Sequence, residues 1–152
     1  MSSSFLPKGF KPSSEQRKTF DLIEKTNTSI FLTGRAGTGK TAFIEYFKKR
    51  TKKNHVTLAF TGLAAVLNRG KTLHSFFQLP NRLLLKDDDG VKQIEKRKGH
   101  IKSLDIIILD EVSTIRADLI HAVDSLLRRY RNNNKPFGGI QMLFVGDLYQ
   151  IP

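Results

Sequence analysis

The chain has 152 residues, 39% of them apolar and 26% charged, and no cysteine. A chain of this length makes one ordinary domain burying roughly 70% of its unfolded surface. The composition excludes fibrous and disordered classes, and the missing cysteine excludes disulfides and thiolate metal sites. A formal net charge of +12, from 26 basic and 14 acidic residues, attracts polyanions and makes nucleic acid a candidate partner beside a merely solvated basic surface.

No run approaches the roughly 18 apolar residues of a membrane span. The start, Met1-Ser2-Ser3-Ser4-Phe5, lacks the basic segment and apolar core of a secretory signal. The expectation is a soluble, intracellular protein without a membrane partner.

In chain order, Pro7, Gly9 and Pro12 make residues 1–12 an extended lead-in. Ser13 opens a helix, and Gln16 three residues on completes a capping-box pattern. That helix runs to about Lys25, with Phe20 and Ile23 inward. Four short apolar runs read as strands: 29–33, 55–60, 105–109 and 140–145. The last two are apolar almost throughout, as in parallel strands covered on both faces.

Helical patterns lie between them. Residues 39–50 place Phe43, Ile44 and Phe47 on one side, and 63–69 end at Gly70, a suitable C-cap. Residues 117–130 space Leu119, Ile120, Val123, Leu126, Leu127 and Tyr130 by three and four. Asp87-Asp88-Asp89-Gly90 is a turn without the spacing of a calcium loop. Lys92 to Lys102 is a basic candidate helix. Alternating strands and helices imply right-handed crossovers and an open, mostly parallel α/β sheet with helices on both faces.

Gly34-Arg35-Ala36-Gly37-Thr38-Gly39-Lys40-Thr41 matches G-x-x-x-x-G-K-[ST] in full, between a strand and an amphipathic helix. The glycines let backbone N–H groups converge on phosphates at a helix N-terminus. Lys40 is placed to bridge the β- and γ-phosphates of ATP, and the Thr41 hydroxyl to ligate Mg²⁺. A glycine-rich structural turn is the competing reading.

Asp110 and Glu111 end the apolar strand Ile106-Ile107-Ile108-Leu109. Asp110 is the candidate Mg²⁺ ligand, and Glu111 the group that polarises attacking water. An acidic helix N-terminus is the alternative. Gly146-Asp147-Leu148-Tyr149-Gln150 follows the last strand, on the edge where doubly wound sheets bind ligands. Gln150 is placed to sense the γ-phosphate and Asp147 to support the metal shell; an ordinary strand-end loop fits equally.

These segments together resemble the RecD/Pif-type branch of superfamily 1 DNA helicases, especially its bacterial members. The match is carried by Ser14-Glu15-Gln16, Gly34 to Thr41, and Phe60-Thr61-Gly62-Leu63-Ala64-Ala65 leading to Gly70-Lys71-Thr72-Leu73-His74-Ser75-Phe76. It continues through Leu109-Asp110-Glu111-Val112-Ser113, Phe137-Gly138-Gly139-Ile140-Gln141 and Gly146 to Pro152. The phosphate loop is shared by many NTPases; the third segment and the GD-x-x-Q-x-P ending are more specific.

The resemblance implies a RecA-like P-loop lobe over residues 13–152 and 5′-to-3′ translocation on single-stranded DNA driven by ATP. It implies adenine contact by Gln16 and a DNA path lined by Thr61, His74 and neighbours. It also implies coupling of nucleotide state to DNA grip by Gln150. His74 and Phe76 add hydrogen-bonding and stacking groups, although Phe76 and Phe77 are adjacent and at least one should be core. Thr114 stands where the family often has methionine, a packing difference.

The family carries a second RecA-like lobe with an arginine finger. The expectation here is a monomeric chain cut before that lobe, which by itself hydrolyses ATP very slowly. Two other functions fit parts of the sequence: an AAA+-type DNA-linked ATPase, which the GD-x-x-Q ending disfavours, and a non-catalytic basic module. Lys48-Lys49-Arg50 with Lys52-Lys53 reads as a solvated helix end. Lys96-Arg97-Lys98 and Arg128-Arg129-Arg131 are either surface or phosphate contacts.

Overall fold

The computed structural model describes residues 6, 8–35, 37–79 and 98–148. Five strands form one sheet: β1 (Ile30–Thr33), β2 (His55–Ala59), β3 (Lys71–Thr72), β4 (Ile106–Asp110) and β5 (Gln141–Gly146). Their order is β1-β5-β4-β2-β3, and every pairing is parallel. The helices are α1 (Ser14–Lys25), α2 (Lys40–Arg50), α3 (Gly62–Leu67), α4 (Leu73–Phe77), α5 (Lys98–Ser103) and α6 (Ala117–Arg131). None of them is long and apolar enough to cross a membrane.

The side-chain alternation of β4 explains the two cores. Ile106 and Ile108 point to one face, where they meet Ile23 of α1 and Phe43, Ile44 and Phe47 of α2. Ile107 and Leu109 point to the other, against Leu119, Val123, Leu126 and Leu127 of α6. A strand buried on both faces needs apolar residues at every position, which is why this run shows no polar alternation. Each fully buried side chain of this size contributes about 1.5–3 kcal/mol.

The capping box at the start of α1 forms as the sequence suggests. Gln16 N donates to Ser13 Oγ at 3.1 Å, and Ser13 N donates to Gln16 Oε1 at 2.9 Å. β3 and α4 are elements that periodicity does not reveal. At two and five residues they are too short for a repeat; local capping defines α4, as Ser75 N donates to Thr72 Oγ1 at 3.1 Å. Of the basic stretch 92–102, residues from Lys98 form α5; the turn at 87–90 and the rest of the stretch, including Lys96 and Arg97, lie outside the described residues.

Several cations expected at the surface serve the fold instead. Lys53 Nζ donates to the Ile23 carbonyl at 2.7 Å, the Thr26 carbonyl at 2.6 Å and Gln141 Oε1 at 2.6 Å. Burial pushes its pKa below the usual lysine range, against the opposing pull of Glu24 and Asp105. Gln141, only 1% exposed, also donates to the Thr28 carbonyl at 2.8 Å. This pair ties the end of α1 to the start of β5.

Lys48 reaches inward to Glu45 at 2.9 Å and to the Asn68 carbonyl at 2.7 Å. Arg131 donates to the carbonyls of Gly138, Lys102 and Leu104 at 3.0, 2.9 and 3.1 Å. Arg128 bonds Asp124 at 3.0 Å and the Asn134 carbonyl at 2.6 Å. These side chains satisfy backbone oxygens at element ends, where helices leave carbonyls without partners.

The turn into β5 requires glycine. Gly138 has φ 63°, and an added Cβ would fall on the backbone of Leu127, 2.8 Å from its carbonyl carbon. The left-handed conformation alone costs a side chain about 1–2 kcal/mol, and the overlap adds to it. Gly138→Ala should therefore destabilise the protein by about 2 kcal/mol or more. Equilibrium denaturation checks this; a loss well below that would mean that α6 and the turn separate easily.

Candidate functional site

The phosphate loop, the acid pair and the residues after β5 meet at the carboxyl edge of the sheet. β5 lies between β1 and β4, with Thr33 opposite Gly146 and Leu109 opposite Phe144. The phosphate-loop strand and the acid-bearing strand are thus two strand spacings apart, roughly 10 Å.

The loop turns through Gly37 (φ 79°) and Gly39 (φ 90°), and Gly39 caps α2. An added Cβ at Gly34 would lie 2.6 Å from Thr38 Oγ1, so the Thr38 side chain would have to move. Thr38 Oγ1 donates to the Arg35 carbonyl at 2.6 Å. Lys40 Nζ donates to the Gly34 carbonyl and, at 2.9 Å, to the Arg35 carbonyl. The ammonium is therefore held over the loop.

Gln16 borders the same loop, its Nε2 lying 3.6 Å from where a Gly39 Cβ would sit. A cavity of about 240 Å³ is lined by Ser13, Gln16, Thr33, Gly34, Gly39 and Lys40, among others. Capping uses Gln16 Oε1 and leaves Nε2 on the loop side, so the helix start and the pocket share one side chain. Thr41 is exposed on the first turn of α2. Ala36 and Gln150 lie outside the described residues.

Asp110 closes β4 with its carboxylate held from two sides. Glu111 N donates to Oδ1 at 2.8 Å, and the Asn68 amide donates to Oδ2. Glu111 adopts φ 54°, a left-handed conformation uncommon outside glycine and found at sites that redirect a side chain. Thr61 Oγ1 donates to Glu111 Oε2 at 3.2 Å. Asp147 is 7% exposed at the end of β5. Among the residues expected on a DNA path, Thr61 is exposed and His74 half-buried, its ring 5.8 Å from that of Phe60.

Phe76 corrects an expectation. It is 0% exposed and stacks edge-on against Phe77, itself 1% exposed, at 4.9 Å. Both rings are core, because a helix of five residues packed on the sheet turns two adjacent side chains into it. Phe76 thus presents no face to a base. Conversely, Asn68 and Lys48 were not visible as site residues. Asp110 lies 42 residues beyond Asn68 and Asn68 lies 20 beyond Lys48, and an asparagine two residues before Gly70 reads only as a helix end.

A family model described as PIF1-like helicase matches residues 11–152. The ATP-dependent DNA helicase RRM3 of Saccharomyces cerevisiae is 34% identical over 148 residues, covering 91% of this chain and 20% of that protein. The ATP-dependent DNA helicase Pif1 of a Psychrobacter species is 35% identical over 144 residues, covering 91% and 22%. The crystal structure of Bacteroides Pif1 helicase with ADP-AlF3 and single-stranded DNA superposes with a TM-score of 0.86 at 34% identity, covering 94% and 34%. The chain therefore spans about a fifth of these curated relatives and about a third of that crystallised chain.

Phe76→Ala should cost about 3–5 kcal/mol of stability, as for other buried phenylalanines. Chemical denaturation reads it directly. A loss under about 1 kcal/mol accompanied by weaker nucleic-acid binding would return Phe76 to the surface.

Proposed function

The chain belongs to the PIF1-like helicase family, and on that premise we propose that it is the nucleotide-binding motor lobe of an ATP-dependent DNA helicase, translocating 5′-to-3′ on single-stranded DNA. The observation that carries this is the arrival of the phosphate loop and the Asp110–Glu111 pair on one sheet edge, with β5 between them. Residues 13–152 are assigned to this lobe, and residues 1–12 to a lead-in.

In this reading the loop N–H groups of residues 34–39, Ala36 included, surround the β- and γ-phosphates, and Lys40 neutralises them. Gln16 directs Nε2 to the adenine ring. The donor set suits Mg²⁺: a hard cation that keeps several waters takes one or two protein oxygens beside the phosphates, and Thr41 and Asp110 offer a hydroxyl and a carboxylate. Bound there, Mg²⁺ offsets charge developing on the phosphate oxygens. Glu111 orients and polarises the attacking water. Gln150 reports the γ-phosphate to the DNA grip, and Asp147, just after β5, supports the metal shell.

Thr61 and His74 line the DNA path at the same edge. The greater length of the relatives leaves room for a second RecA-like lobe supplying an arginine finger, a group that contributes about 10³–10⁵ in rate. A monomeric, intracellular motor completes the proposal.

In the complete protein, ATP hydrolysis should rise strongly with single-stranded DNA. Hydrolysis indifferent to DNA would redirect the reading toward a P-loop switch acting on another partner. Mg-ATP should raise the melting temperature, and Lys40→Ala should abolish that rise, because a ligand bound only by the native state stabilises it by mass action. An unchanged melting temperature in the unmodified protein would favour a basic module that binds nucleic acid by charge alone. Glu111→Gln should retain nucleotide binding and lose hydrolysis; equal loss of both would make Glu111 a structural or metal-binding group.

A further inference from the structure

We propose that α3 positions the acid pair from both ends, fixing Asp110 through Asn68 and holding Glu111 reversibly through Thr61. The inference rests on the ATPase reading above. Thr61 is the N-cap of α3 and Asn68 its C-cap. One short helix thereby carries a hydrogen-bond donor to each of two consecutive carboxylates.

The two attachments differ in kind. Asn68 is 4% exposed, and its backbone carbonyl is held by Lys48 Nζ at 2.7 Å, which also pairs with the buried Glu45 at 2.9 Å. Its amide donates to Asp110 Oδ2, while Glu111 N donates to Oδ1 at 2.8 Å. With both oxygens engaged, the plane of the carboxylate is set. The side-chain oxygen of Asn68 is buried without a hydrogen bond among the described residues. Packing alone gives no reason to keep such an atom, since an apolar residue would avoid its desolvation. The grip on Asp110 gives one.

Thr61 is exposed, and its hydroxyl meets Glu111 Oε2 at 3.2 Å, where water competes for both partners. That bond is exchangeable. A DNA phosphate oxygen reaching Thr61 would accept the hydrogen bond from its hydroxyl instead, leaving Glu111 free to turn to the attacking water. The exposed end of α3 thus links DNA contact to the base, while the buried end keeps the metal-binding acid still.

The test uses the complete protein. Thr61→Val removes the hydroxyl at nearly constant volume, and Thr61→Ser keeps it. Thr61→Val should raise DNA-free ATP turnover several-fold and lower the ratio of turnover at saturating DNA to turnover without it, with the KM for ATP unchanged. Thr61→Ser should keep the original ratio. Thr61→Asp retains an N-cap acceptor but repels Glu111, so it should also raise DNA-free turnover even if valine weakens the helix. Unchanged or uniformly reduced turnover in both Thr61→Val and Thr61→Asp would overturn the Thr61 role.

For the other end, fluorescent ADP is titrated with and without Mg²⁺. Asn68→Leu and the milder Asn68→Ser should weaken the Mg²⁺-dependent gain in affinity several-fold and leave Mg²⁺-free binding intact. Equal weakening under both conditions would overturn the Asn68 role. If the unmodified protein showed no DNA-stimulated turnover, the helicase reading itself would fail; normal stimulation with indifferent variants would fail only the present inference.

Discussion

The arrangement depends on β5 pairing in parallel between β1 and β4. That single insertion sets the distance between the phosphate loop and the acid pair. Parallel pairing brings all three carboxyl ends to one edge, and the twist of the sheet opens a crevice there. Without β5, the acids would lie one strand spacing from the loop. The Phe137-Gly138-Gly139-Ile140-Gln141 segment, which carries part of the family likeness, acts here. Gly138 admits the backbone of α6, and Gln141 joins Lys53 in tying β5 to the end of α1.

The same economy appears in the charges. The net charge of +12 suggests a broad field for polyanions, yet Lys48, Lys53, Arg128 and Arg131 hold carbonyls and carboxylates within the fold. Long side chains of this kind cover apolar surface with their stems and deliver a charge to an unsatisfied oxygen. Net charge still governs steering at a distance, but a cluster in sequence is a poor guide to which cations remain at the surface. The direction of each side chain is settled by the oxygen it reaches.

At the site, strength of attachment divides the labour. Asp110 is held by a backbone N–H and a buried amide, and Glu111 by an exposed hydroxyl in a left-handed turn. A buried hydrogen bond is expensive to break because its groups have no water to turn to, whereas an exposed one exchanges readily. In the proposed function, Asp110 would then be the fixed metal ligand and Glu111 the releasable base.

Sequence alone determined the phosphate loop, the acid pair, the capping box at Ser13 and Gln16, and an open parallel α/β sheet. Each has a local physical signature: glycines at fixed offsets, carboxylates after a doubly buried strand, or a cap three residues from its partner. It also located four strands and the longer helices within a residue or two. It did not show β3, α4 or the burial of Phe76, because elements of two and five residues carry no period. Tertiary structure alone decided that Asn68 meets Asp110, that Thr61 meets Glu111, and that Lys53 turns inward. Those are contacts between segments distant in the chain, and only the packed sheet brings them within hydrogen-bonding reach.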